Sequence, residues 1–330
     1  MKIFISGATG FIGKALVKKL AGSGHEVCCL VRPTSRVEAL REAGFHLFTS
    51  NVNDPESLCL GMEGCDWVIH LATLYTMWHP EPVQFTRVNV EGTNNVMQAA
   101  LQAGVSKVIY VSTAAVYGKP VDLPFNEESQ PGPKLFSEYG RTKALANQLA
   151  WQFYHQHGLP LVVLYPGIVL GAGDYKPSGK YISDIIHRRV PATIFHHSTA
   201  TYVYVGDVAD AILHAAERQD TTGEKYLLGH AWLNGKEYVE LIREVSGVSL
   251  PWFTFPDFMV MAASYFLTGF SDITRRPPPW GLSIDASWTL KMGFQYDGSK
   301  AERQLGISYT PIRQALSEAI ASYRAQDLHE

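Results

Sequence analysis

The sequence predicts an α/β fold in which a doubly wound parallel sheet carries a smaller, mostly helical C-terminal portion, and three observations lead to it. Short apolar runs alternate with longer amphipathic ones through the first half of the 330 residues, the pattern of strands buried on both faces and covered by helices. Gly24, Gly44, Gly64, Gly104 and Gly158 each fall just before a strand-like run, where a helix C-cap and turn belong. The first strand runs straight into a glycine-rich loop within which a helix begins.

Strands are expected at residues 2–6, 26–31, 46–49, 67–70, 107–112 and 161–165, with helices near 12–21, 36–43, 55–61, 85–103 and 137–157. After Pro166 the punctuation loosens: residues 171–180 read as loop, and later helix-like and strand-like pieces mix with prolines, including Pro277, Pro278 and Pro279. One strand–helix unit returns at 202–205 and 207–217, with Asp207 as the helix N-cap. Residues 239–245 and 312–323 read as amphipathic helices. The expected division is a nucleotide-binding unit at 1–166 plus about 202–218, and a substrate-binding portion at 167–201 and 219–330. No internal repeat interrupts either part.

Composition narrows the class. Hydrophobic residues make up 46% of the chain and charged residues 18%, with a net charge of −3. Neither nucleic acid nor an anionic membrane surface is expected as the main partner. Cys28, Cys29, Cys59 and Cys65 lack metal-ligand spacing and read as reduced thiols of a cytoplasmic protein. Met1-Lys2 leads directly into a strand, leaving no room for a signal peptide. No run approaches the roughly 18 apolar residues of a membrane span. The most apolar late stretch, 255–270, is interrupted by Asp257, Ser264 and Gly269 and reads first as a core helix. A pocket lining or a membrane-surface contact are its alternatives.

The loop is Ser6-Gly7-Ala8-Thr9-Gly10-Phe11-Ile12-Gly13. Gly7 permits the tight turn, Gly10 lets the backbone approach a pyrophosphate, and Gly13 lets the helix pack closely on the strand. The helix N-terminus that follows favours phosphate charge. At the end of the second strand a carboxylate would bind ribose hydroxyls and repel a 2′-phosphate. Here stand Arg32, Pro33, Thr34, Ser35 and Arg36, with no acid. Arg32 can stack on adenine and pair with the phosphate, and Arg36 adds donors. NADP(H) is therefore expected over NAD(H). Tyr139 and Lys143 form a YxxxK pair, which a helix places on one face. The ammonium beside the phenol makes Tyr139 a usable acid/base, and Lys143 can also hold ribose hydroxyls. The adjacent histidines His196 and His197 diverge on a strand and no HExxH spacing exists, so no metal is expected.

This GxxGxxG loop, the YxxxK pair and the segment from Val111 to Gly118 resemble the extended branch of the short-chain dehydrogenase/reductase superfamily, the NAD-dependent epimerase/dehydratase family. The pattern is closest to its dihydroflavonol reductase-like members. The resemblance covers nearly the whole chain and is strongest through residue 170. It implies a Rossmann-type fold and makes Thr113, four before Tyr117, the third catalytic group, with Ser112 as the other candidate. It brings Thr9, Phe11, Ile12, Leu71, Ala72, Thr73, Pro166 and Ile168 to the cofactor, and sets Asn51 and Val52 at the adenine, where relatives carry an Asp in place of Asn51. Asn89 is expected to order backbone near the site, and Tyr165 replaces a frequent Arg. A homodimer through the helices near 85–103 and 137–157 is also implied.

The expected activity is reduction of a ketone or aldehyde on a small, apolar substrate, with Leu74, Tyr75, Met77, Trp78, Phe253, Phe255, Met259 and Met261 near the pocket. Sugar dehydratases place an Asp-Glu pair after the catalytic threonine, where this chain has Ala114 and Ala115. Two alternatives stand beside the reductase: a nucleotide-sugar epimerase using bound NAD, and a non-catalytic NADP(H)-binding sensor or scaffold.

Overall fold

The computed structural model describes residues 1–327. The N-terminal half alternates β1 (Lys2–Ser6), α1 (Phe11–Leu20), β2 (Glu26–Val31), α2 (Glu38–Glu42), β3 (His46–Thr49), α3 (Pro55–Met62) and β4 (Trp67–His70). A short α4 (Val83–Phe85) then runs through a π-helical turn, Thr86–Glu91, into α5 (Gly92–Ala103). Next come β5 (Lys107–Val111), α6 (Glu138–His157), β6 (Leu161–Pro166) and β7 (Ile168–Leu170). The later chain supplies α7 (Pro177–Ile186), β8 (Thr199–Tyr204), α8 (Val205–Glu217), β9 (Lys225–Leu228), β10 (Ala231–Asn234) and α9 (Gly235–Ser246). It ends with α10 (Asp257–Thr274), α11 (Ile284–Met292), α12 (Ser299–Leu305) and α13 (Ile312–Asp327).

The large sheet has seven strands in the order β3-β2-β1-β4-β5-β6-β9, and all neighbours pair in parallel. The strand order reverses its direction of growth between β1 and β4. That is the switch point beyond whose carboxyl ends a crevice forms. Side-chain alternation explains why helices cover both faces. Ile3 and Ile5 join one core with Leu16, Val208 and Ile212 from α1 and α8, while Phe4 joins the opposite core with Leu58, Val96 and Ala146 from α3, α5 and α6. Left-handed glycines end the helices as expected, with φ of +65° at Gly104 and +69° at Gly158.

A three-stranded sheet, β10-β8-β7, carries the second core with α7, α9 and α13. Three expectations change here. β8, assigned to the nucleotide-binding unit, belongs to this smaller sheet, whereas α8 after it packs on α1. Residues 225–228, placed in the C-terminal portion, close the large sheet as β9. Asp207 is not an N-cap: Tyr204 holds that position, and the carboxylate of Asp207 accepts from the Thr310 amide at 2.8 Å and its hydroxyl at 2.7 Å. The short pieces β7, β9 and β10 escaped the sequence reading because they lie past Pro166, where the regular alternation of strand, glycine turn and helix that marked the comparably short β3 and β4 has ended.

Helix α10 also departs from expectation. It does not lie in the core: Val260 and Met261 pack into a small cluster with Phe195, while Phe258, Met259 and Phe266 remain exposed. No helix among the described residues is long and apolar enough to cross a membrane. All four cysteines are free, Cys29 and Cys65 buried and the other two half-buried.

Candidate active site

Gly7 adopts φ +84°, and a Cβ there would stand 2.7 Å from the Ala72 amide nitrogen. The loop after β1 therefore lies against the loop after β4. Gly10 caps α1 without a side-chain bond, leaving the first-turn amides of Phe11, Ile12 and Gly13 to an anion. A Cβ on Gly13 would come within 2.3 Å of the Gly7 carbonyl oxygen, so α1 packs this closely only with glycine there. Thr9 stands half-buried in the same loop. These groups fit a dinucleotide pyrophosphate.

Arg32 and Arg36 lie exposed just past β2, beside β1 in the sheet, around a turn in which the Ser35 hydroxyl accepts from the Arg32 amide at 3.1 Å. No acidic side chain stands in this turn. Asn51, past β3, already accepts from the Asn53 amide at 2.8 Å. One lone pair of its amide oxygen remains for a ligand. Val52 is buried against Gly92. The Leu71 amide donates to the Ser6 carbonyl, and Thr73 donates to the Asn89 side-chain oxygen at 3.0 Å. Asn89, 1% exposed, also accepts from the Leu74 amide at 2.7 Å and donates to Thr142 at 3.1 Å. It thus ties the loop after β4 to α6. Pro166 ends β6, the Gly167 amide donates to Leu228, and Ile168 opens β7.

The YxxxK residues stand in the first two turns of α6. Ser137 caps that helix by accepting from the Gly140 amide at 3.0 Å. Asp285 from α11 accepts from the Glu138 amide at 2.7 Å, placing a carboxylate at the positive end of α6. Tyr139 is 8% exposed and faces the Thr113 hydroxyl. Burial holds its phenol above the ordinary tyrosine range, and the Thr113 hydrogen bond acts in the opposite direction. Thr113 itself caps the short 3-10 turn Ala114–Tyr117 that leaves β5, accepting from the Ala115 amide at 3.3 Å. Lys143, 1% exposed, donates to the Tyr110 hydroxyl at 2.9 Å and to the Val111 carbonyl at 3.1 Å. Burial pushes its pKa down to about 7.

Three residues of this centre were missed. Tyr110 stacks on His70 at 5.4 Å and faces Thr93 and Ser112 as well as Lys143. His70 joins Ser6 at 2.6 Å to Thr93 at 3.0 Å. Asp285 comes from a distant helix. Strand alternation puts Tyr110 on the α6 face but says nothing of its partners, and no local signal marks Asp285. Tyr75, expected only as pocket lining, packs its ring 5.0 Å from that of Tyr139 and reaches Ser178 on α7. Trp78 donates to Asp272 of α10 at 2.9 Å. Phe255 and Met261 belong to the small cluster on α10, whereas Phe253 and Met259 are exposed. His196 bonds Thr193 at 2.8 Å, and among the described residues no three metal-ligating side chains gather.

The chain has relatives in sequence and in overall fold. A Synechocystis protein described as a putative dihydroflavonol 4-reductase is 30% identical over 96% of this chain and 93% of its own. The crystal structure of gox2253 is 29% identical, covers 98% of both chains and superposes with a TM-score of 0.83. The UDP-glucose 4-epimerase of Thermus thermophilus, solved in complex with NAD, shares the fold with a TM-score of 0.76 at 22% identity, over 98% of this chain and 99% of that one. Residues 3–229 match the family described as the NAD dependent epimerase/dehydratase family, and with that match over the sheet, the glycine loop and the YxxxK helix, the chain belongs to that family.

Proposed function

We propose that the protein is an NADP(H)-dependent reductase acting on a ketone or aldehyde of a small, apolar substrate. The family contains reductases and epimerases alike. The observation that carries the choice is the end of β2, where Arg32 and Arg36 stand and no carboxylate competes with a 2′-phosphate. Homology to a putative dihydroflavonol 4-reductase supports the same reading.

Bound nicotinamide supplies the hydride. Tyr139 then donates its proton to the oxygen that gains charge, and Thr113 donates a hydrogen bond to the same oxygen. A buried phenol without a nearby ligand stays protonated, the state a reductase needs before turnover. Lys143, held by Tyr110 and the Val111 carbonyl, would hold the ribose hydroxyls of the bound cofactor, and its charge would lower the cost of the tyrosinate that remains. Ala114 and Ala115 supply no acid/base pair for dehydration. Tyr75 covers Tyr139 and restricts water.

Titration with NADPH and NADH, followed by nicotinamide fluorescence, tests the cofactor. NADPH should bind at least about ten-fold more tightly, and Arg32→Ala should remove most of that preference. Tyr139→Phe should lower turnover of aromatic and aliphatic ketones by roughly 100-fold or more while NADPH binding stays within about three-fold. Retained turnover would remove Tyr139 from the chemistry. A nucleotide-sugar epimerase is the competing reading, supported by the UDP-glucose 4-epimerases among the chain's relatives in sequence. Purification with NAD already bound would select it.

A further inference from the structure

Helix α10 has its amphipathic character inverted. No charged residue falls between Asp257 and Asp272. The side chains it turns inward include Ser264 at 0% and Ser271 at 1% exposure, while Phe266 is 73% and Ile273 84% exposed. Met259, Ala262, Ala263, Phe266, Phe270 and Ile273 recur at the three- and four-residue spacing of one helix face, and that face points away from the protein. A surface helix of a globular protein does the reverse, and a contiguous exposed apolar face marks a contact surface.

Polar bonds supplement the small apolar cluster in fastening the helix. Thr268 accepts from the Ile284 amide at 2.9 Å, and Asp272 accepts from Trp78 at 2.9 Å. The exposed Trp252 and Phe253 precede the helix, and Trp280 follows it. At its C-terminal end Arg275 and Arg276 are exposed, and the Trp280 indole donates to the Arg189 carbonyl at 3.2 Å, which brings the exposed Arg188 and Arg189 alongside.

We propose that α10 docks the protein on a phospholipid bilayer, lying in the interface without crossing it. An 18-residue helix is about 27 Å long, and Asp257 and Asp272 mark its two ends, so the bilayer core is not its place. An apolar face of Phe, Met and Ile suits the acyl boundary, and Trp and Tyr suit the headgroup level. The guanidinium groups at one end are the complement of lipid phosphates. The small net negative charge of the whole chain does not oppose this, because exposed charges interact over only about 8–10 Å in physiological salt. Docking here would set the bilayer beside residues 76–80, which lead from α10 to Tyr75 and Tyr139.

The test is flotation of the full chain with vesicles of phosphatidylcholine alone and of phosphatidylcholine with phosphatidylglycerol. The chain should float with both, more with the second. Phe266→Ser with Phe270→Ser should lower the partition coefficient at least about ten-fold. Arg276→Gln should lower it roughly five-fold, in a salt-dependent way. NADPH binding by these variants verifies that they fold. Should the double variant misfold, brominated lipid should quench Trp252 and Trp280 fluorescence in the unaltered protein. Absence of flotation and quenching, or flotation unchanged in the folded double variant, overturns the proposal. So does a dimer that the double variant splits while vesicles stay bare, which would give the face to a second copy of the chain.

Discussion

Lys143 does not stand alone. Its ammonium rests on Tyr110, whose ring stacks on His70, and His70 bridges Ser6 at the end of β1 to Thr93 on α5. The Thr93 hydroxyl spends its proton on the Asn89 carbonyl at 2.7 Å. It must therefore accept from Nε2–H of His70, leaving Nδ1 to accept from the Ser6 hydroxyl. That fixes the Nε2–H tautomer of the neutral imidazole. Burial first, and the Lys143 charge second, push its pKa down to about 3. In the unfolded chain the ring titrates near 6.5, so below that pH the unfolded state binds the extra proton. Stability from this group is full above about pH 6.5 and is lost as pH falls toward about 3. Between pH 7 and pH 5 the loss should be about 2 kcal/mol. Urea denaturation at both pH values checks it, since His70→Gln should remove that share of the pH dependence. An unchanged pH dependence would mean that His70 is charged in the folded protein.

Between β1 and α1 the chain turns with no room for a side chain at Gly7 or Gly13. A Cβ at residue 13 would meet carbonyl oxygens of Gly7 at 2.3 Å and Ala8 at 2.6 Å, both backbone and neither able to swing aside. Gly13→Ala should therefore push α1 away from the loop, costing about 1–3 kcal/mol of stability. The amides of Phe11 and Ile12 would shift with the helix, and NADPH affinity should fall more than ten-fold, or about 1.4 kcal/mol. Thermal denaturation and the fluorescence titration read the two effects separately. Stability lost with affinity kept would show that the loop holds no phosphate. The glycine spacing alone points to this turn, but the helix that delivers Tyr139 depends on Asp285, 147 residues away in sequence.

Across the whole molecule, one residue of the late chain bridges the two sheets. Tyr296 is buried, donates to the Leu228 carbonyl on β9 at 2.6 Å and receives the Trp232 indole on its own carbonyl at 2.7 Å. Its amide donates to Thr201 on β8 at 3.3 Å. Removing the hydroxyl in Tyr296→Phe should cost about 1 kcal/mol, since Leu228 keeps the bond from the Gly167 amide. Because the cores share this contact, tryptophan fluorescence and far-ultraviolet circular dichroism should trace one coincident urea transition, in the variant as in the parent. Separated transitions would show that the smaller sheet unfolds on its own.

Local pattern determined the large sheet almost entirely. Its first six strands, the capping glycines and the phosphate loop depend on apolar runs and on backbone conformations that one residue type permits, and such signals survive in a linear string. The YxxxK pair was legible for a related reason, since helical spacing carries the positions of Tyr139 and Lys143, whereas Thr113 came only from the family resemblance. Tertiary structure decided the rest. Asp207 reads locally as a cap, yet its carboxylate is claimed by Thr310, 103 residues on. β9 is four residues long, and only an open edge beside β6 makes it a strand. Residues 257–274 are apolar enough for a core, but packing set Ser264 and Ser271 inward and left Phe266 and Ile273 outside. Which face of an apolar helix meets the protein is fixed by the partners that reach it, and those partners lie too far along the chain for any local pattern to name.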